Sequence, residues 1–242
     1  MREAGRLGAL VVVALLGMLA LGTRSAAAQE RPEPSGQELL ARAAAVYAHC
    51  TSYQDTGVVM ILFMESGGDR TEERPFKTAF VRPDRFRFEY EETGAVGAKR
   101  RYIIWRVGSD VRTWWDVQPG VEGATSLDEA LSAATGVSGG SAHAIPALLM
   151  PNEIKGRRLS DMTDATRVAD AEVGGTACYC VTGKYANAPK TVCLDKRTSL
   201  VRRIEFEATF PAFHTRETTT FEPVIDAPVA PALLEFAPPS QK

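Results

Sequence analysis

Histidines, cysteines and one serine set among glycines are the side chains here with chemistry to offer. His49, His143 and His214 are the only histidines. None has a cysteine or carboxylate partner at metal-ligand spacing, so each reads as a structural imidazole. Gly136-Val137-Ser138-Gly139-Gly140 matches G-x-S-x-G, the hydrolase nucleophile elbow. That elbow needs a strand before the serine and a helix after it. Here a helical pattern precedes the serine and a glycine-serine stretch follows, so the segment reads as a hinge between two helices. Glu72-Glu73 and Glu91-Glu92 are adjacent pairs on strand-like segments. Neighbours on a strand face opposite ways, which makes each a poor acid-base dyad. There is no phosphate-binding glycine loop and no dinucleotide fingerprint. The sequence therefore predicts no enzyme: no catalytic residue, no metal and no cofactor.

The four cysteines, Cys50, Cys178, Cys180 and Cys193, are even in number and suit a disulfide framework if the chain is exported. Four cysteines allow three full pairings. Cys178 and Cys180 lie two apart, on one face of a strand. Cys180 and Cys193 bracket a hairpin, which would set them opposite each other. Cys50 could then reach Cys178 from a packed helix.

Export is expected from the first 28 residues. Arg2 and Arg6 precede an uncharged apolar run from Gly8 to Gly22, and Ser25-Ala26-Ala27-Ala28 supplies the small residues of a cleavage site. The run is shorter than the roughly 20 residues a spanning helix needs. No cysteine lies near the cut after Ala28, so a lipid anchor of the bacterial lipoprotein kind is not expected; the first cysteine is Cys50. Cleavage after Ala28 removes Arg2, Arg6, Arg24 and Glu3, so 28 basic and 30 acidic residues become 25 and 29, a net charge of −4. That balance attracts neither nucleic acid nor an anionic membrane surface.

The elements that must position these residues are legible in outline. Residues 29–34 read as a charged, Pro-rich, mobile leader. Ser35-x-x-Glu38 is a capping box that opens a helix, with Leu39, Ala43, Val46 and Cys50 on its apolar stripe. Strands are predicted at 57–64, 76–81, 85–91, 101–107 and 111–117, with Gly108-Ser109-Asp110 turning the last pair. A second capping box, Ser126-x-x-Glu129, opens another helix, and 142–150 reads as a short apolar helix. Strands return around 167–173, 176–184, 190–195, 200–210 and 213–223. The tail from 227 to 242 is Pro-rich and predicted to be extended. Helices segregated from an antiparallel sheet make this an α+β chain, with one domain over 35–226.

The apolar supply is concentrated. Met60 and Leu62 lie in the first strand, and Phe80, Phe86, Phe88, Tyr90, Ile103, Trp105 and Trp114 in the next ones. They either fill an ordinary core or line a cavity closed by short helices, with Leu131 and Leu148 contributed from the helical segments. Such a cavity would take an apolar ligand at about 25 cal/mol per Å² of surface removed from water.

Several stretches together resemble one family. "ELLARAAAVYAHCTSYQDTGVV", "FKTAFVRPDRFRFEY" and "RRYIIWRVGSDVRTWWDVQP" are followed by "ATGVSGGSAHAIPALLM", "YCVTGKYANAPKTVCLDKRTSLVRRIEF" and "TTTFEPVID". In this order they are similar to the LolA-type lipoprotein carriers and their lipoprotein-localisation superfamily. The resemblance implies an incomplete antiparallel β-barrel, a strongly curved sheet, with a helical lid enclosing a hydrophobic cavity for acyl chains. It implies that Arg82, followed by Pro83, hydrogen-bonds lid backbone and latches the cavity. The implied function is a periplasmic carrier that moves acylated lipoproteins or lipids between inner and outer membrane. The implied partners are an inner-membrane ABC-type release complex and an outer-membrane acceptor, with the chain itself a monomer. The alternative within the same fold is an envelope sensor or regulatory lipid-binding module.

Overall fold

The computed structural model describes residues 33–93 and 97–239; the expected signal segment and residues 29–32 of the expected leader lie outside them. The first helix, α1 (Gly36–His49), starts as its capping box dictates. Ser35 Oγ accepts from the Glu38 amide and the Glu38 carboxylate accepts from the Ser35 amide at 2.8 Å. Its buried stripe is Leu39, Leu40, Ala43 and Tyr47. Tyr47 takes the central place expected for Val46, and its hydroxyl accepts from the Val201 amide at 3.0 Å.

Six strands follow: β1 (Ser52–Glu65), β2 (Gly68–Val81), β3 (Arg85–Thr93), β4 (Lys99–Val107), β5 (Asp110–Trp115) and β6 (Gln118–Gly123). Three short helices come next, α2 (Leu127–Thr135), α3 (Ser141–Ala144) and α4 (Pro146–Leu149), and then a 3₁₀ turn at Leu159–Asp161. The second run of strands is β7 (Thr163–Val173), β8 (Thr176–Tyr185), β9 (Ala188–Asp195), β10 (Val201–Thr209), β11 (Phe213–Phe221) and β12 (Val224–Ile225), followed by one helical turn, α5 (Pro231–Leu234). No helix among the described residues is long and apolar enough to cross a membrane.

The strands form one antiparallel sheet in the order β6-β5-β4-β3-β2-β1-β11-β10-β9-β8-β7, with β12 also on β1. Two consecutive meanders are thus sewn together by the β1–β11 pair. The outermost strands, β6 and β7, are not paired with each other, so the sheet curves around the helices without closing. α1 packs on β7 and β8, α2 on β4 and β5, and α4 against α1. The α+β incomplete barrel with helices over one face is the architecture expected from the sequence.

Three local differences have physical causes. β2 begins eight residues before the predicted strand, because Gly68–Pro75 is polar and carries no apolar signal; pairing with β1 along its whole length draws it in. β6 contains Pro119, Gly120 and Gly123, which read as loop, but a sheet edge tolerates them. The helix expected over 142–150 is two turns, because Pro146 lacks an amide hydrogen and starts a turn of its own.

Candidate functional site

The face of the sheet that the helices cover is fixed by strand register. Phe80 pairs with Phe86, Thr78 with Phe88 and Phe76 with Tyr90. Paired residues share a face. Phe80, Phe86, Phe88 and Tyr90 are buried in the same cluster as Leu131 of α2 and Leu148 of α4. These six of the eleven cavity residues named from the sequence are brought together beneath the helices. The other five are not. Ile103 pairs with Glu89 and Trp114, and Trp105 with Arg87, one residue out of step with Phe88–Ile104. A one-residue offset puts a side chain on the opposite face. Ile104 and Val111 occupy the inner positions. Met60 and Leu62 likewise alternate with inner-facing Val59 and Ile61, and Met60 is 45% exposed.

On the outer face, Trp105 and Trp114 are covered by the C-terminal segment. The Phe236 ring lies 5.1 Å from Trp105 and 5.2 Å from Trp114. Arg87 donates to the Glu235 carbonyl at 2.7 Å and holds the segment down. The tail read as extended therefore carries a helical turn and packs across β2 and β3.

Arg82 follows directly on β2 and its guanidinium is bonded to backbone carbonyls. Its Nε donates to Cys50 O at 2.7 Å, and its Nη2 reaches Tyr47 O at 3.1 Å, Ala48 O at 2.8 Å and Leu149 O at 2.8 Å. One guanidinium thus joins the end of β2, the C-terminus of α1 and the end of α4. Two further arginines, not singled out from the sequence, do similar work. Arg74 Nη1 donates to Val137 O at 2.7 Å, tying β2 to the α2–α3 loop. Arg106, 5% exposed, pairs with Glu153 just past α4 and donates to Asp84 O at 3.2 Å. Both alternate with apolar or charged neighbours on their strands, so only register shows that they point at the lid.

A space of about 230 Å³ lies between the α2–α3 loop and β9–β11, lined by Ile204, Phe206, Thr219 and Phe221 of the sheet and Gly136, Gly139, Gly140 and Ala144 of the lid. That is below the ~300–1,000 Å³ typical of small-ligand sites. Lys190 and Glu217 also line it. Lys190 Nζ sits 4.3 Å from the Tyr185 ring centroid and 5.3 Å from that of Phe206. Burial pushes the Lys190 ammonium below the usual lysine range, and the Glu217 charge opposes this. Burial pushes Glu217 above the usual carboxylate range, with Lys190 and then Arg74 pulling it back. Gly139, at φ +61°, closes over them: a Cβ there would lie 2.7 Å from Val59 Cγ1 and 3.3 Å from Glu217 Oε2.

Ser138 is fully buried within the hinge. Its hydroxyl accepts from the Ala142 amide at 3.1 Å and donates to Thr135 O at 3.3 Å, so it shapes the α2–α3 connection. His143 is bonded to Lys155 O, His214 to Thr209 Oγ1 and His49 to Ala45 O. Cys180 and Cys193 face each other across β8–β9 and form a disulfide, one of the pairings the sequence left open. Cys50 and Cys178 do not join each other. Both are buried free thiols, Cys50 bonded to Tyr47 O and Cys178 to Thr176 O. The second pairing fails because Cys178 points to the same side as Cys180, while Cys50 packs in the core beneath the other face.

No family model matches the chain. No curated protein matches it either. Among solved structures it is similar to a DUF1329 family protein from Desulfovibrio piger, at 14% identity over 83% of this chain and 95% of that one, with a TM-score of 0.36. It is similar to a LolA superfamily protein from Nitrosomonas europaea, at 8% identity over 84% and 98%, with a TM-score of 0.30. It is also similar to the MucB of a Pseudomonas aeruginosa MucA/MucB complex, at 14% identity over 84% of this chain, with a TM-score of 0.38; it spans 61% of that chain. The architecture described above rests on this chain's own strand order, a curved and unclosed antiparallel sheet under a helical lid.

Proposed function

We propose that this protein is an exported, periplasmic carrier that takes the acyl chains of lipoproteins or lipids beneath its helical lid and passes them on between inner and outer membrane. The observation that carries this reading is the Arg82 guanidinium. It joins sheet, α1 and lid through four backbone carbonyls, three at the C-terminal end of α1 and one at the end of α4, so a single side chain spans all three. The concave side is apolar, with Phe80, Phe86, Phe88, Leu131 and Leu148 fully or almost fully buried. The cavity of about 230 Å³ is too small for acyl chains with the lid in place. Loading therefore needs the lid to move, and closure when empty keeps a sticky apolar surface from water. Handover requires a difference in affinity between donor, carrier and acceptor, with no covalent step.

The test is release of acylated lipoprotein from inner-membrane vesicles. The protein is expected to bring lipoprotein into a soluble complex in proportion to its concentration. Lipoprotein that stays in the membrane pellet at every concentration would overturn the reading. Stable binding without onward transfer to outer-membrane vesicles would favour a sensor of the same fold. Arg82→Leu is expected to leave a folded protein that loads lipid more readily and releases it less readily. Loading and release equal to those of the parent would remove the latch.

A further inference from the structure

Lys190 and Glu217 stand on β9 and β11 and both line the space between the α2–α3 loop and the sheet. They carry opposite charges, yet among the described residues neither makes an ion pair or a side-chain hydrogen bond, although each lies within the other's field. Lys190 rests on the Tyr185 and Phe206 rings, which hold its ammonium without neutralising it. Arg74, the other charge facing Glu217, is already bound to Glu72 at 2.8 Å and to Val137 O at 2.7 Å.

We propose that Lys190 and Glu217 form a headgroup subsite for a zwitterionic lipid, the ammonium meeting a phosphate and the carboxylate meeting a primary amine. The proposal rests on the carrier reading above and names the lipid class that the site selects. Elimination supports it. An anionic headgroup alone would meet the Glu217 carboxylate, and a cationic one alone would meet Lys190 and Arg74. An uncharged headgroup would displace water from both charges and pair neither, which is costly in a partly buried site. The cavity is small for chains but sufficient for a headgroup. Its apolar walls include Ile204 and Phe221, which are buried members of the core that chains would enter once the lid moves.

The test uses the full chain with vesicles containing equal parts of phosphatidylethanolamine, phosphatidylglycerol and diacylglycerol, all with the same acyl chains. Protein is separated from vesicles and its bound lipid quantified by mass spectrometry. Phosphatidylethanolamine should be enriched about tenfold over each of the others, the effect of one charge-assisted hydrogen bond. Glu217→Gln should abolish discrimination against phosphatidylglycerol. Lys190→Met should lower uptake of both phospholipids towards that of diacylglycerol. Equal uptake of the three lipids by the unaltered protein overturns the subsite while leaving the carrier reading intact. Preference unchanged in both folded variants does the same. No extracted lipid of any kind overturns both.

Discussion

Asp55 on β1 is 5% exposed, and its Oδ1 accepts the Glu222 amide at 2.8 Å where β11 gives way to β12. Burial pushes its carboxyl up to about 7, against the pull of that amide. A carboxyl raised in the folded state holds its proton over a range in which the unfolded chain has lost it. Stability then falls as pH rises from about 4 to about 7. Asp55→Asn keeps the acceptor and removes the titration. Urea unfolding at pH 5 and pH 8 should show the parent losing up to about 3 kcal/mol relative to the variant. Parallel pH dependences would show that Asp55 does not titrate in this range. Arg82 belongs to the same scale. Arg82→Leu leaves four carbonyl oxygens without this donor and should cost about 2–3 kcal/mol in the same assay. Arg82→Lys should recover only part of that, since an ammonium lacks the planar fork.

Among elements, the C-terminal segment has the most to answer for. Phe236 covers Trp105 and Trp114 on the side of the sheet away from the lid, and α5 packs on β2 and β3. Phe236→Ala should red-shift tryptophan emission and lower stability by about 1–2 kcal/mol, since the ring is only partly buried. An unchanged emission spectrum would mean that the segment does not shield these indoles in solution. The same element bears on the apolar residues of β4 and β5, which the sequence offers to a filled core or a cavity. The face that Ile103, Trp105 and Trp114 take depends on pairing with β3, and Phe236, which meets the two tryptophans, lies more than 120 residues further along the chain. The Cys180–Cys193 disulfide shows the opposite case, because a hairpin sets its own register from local sequence.

The whole molecule is a sheet that stops short of closing, with three arginines, Arg74, Arg82 and Arg106, binding its first half to the lid. If lipid enters by displacing that lid, amide exchange over residues 136–150 should accelerate when lipid binds, while β1, β2 and β11 stay protected. Uniform protection across both would rule out lid movement as the route of entry. The amino-acid sequence by itself determined the α+β class, the capped helices and the strand-turn punctuation, because capping, alternation and turn chemistry act over a few residues, whereas the cysteine pairing stayed open until the structure joined Cys180 to Cys193. The position Arg82 takes was also legible, through the segment that carries it. Only the tertiary structure decided which apolar side chains lie beneath the helices, that Arg74 reaches Val137 and Arg106 reaches Glu153, and that Lys190 and Glu217 line one cavity. Each of those depends on strand register and on contacts between distant segments, which a single sequence does not encode locally.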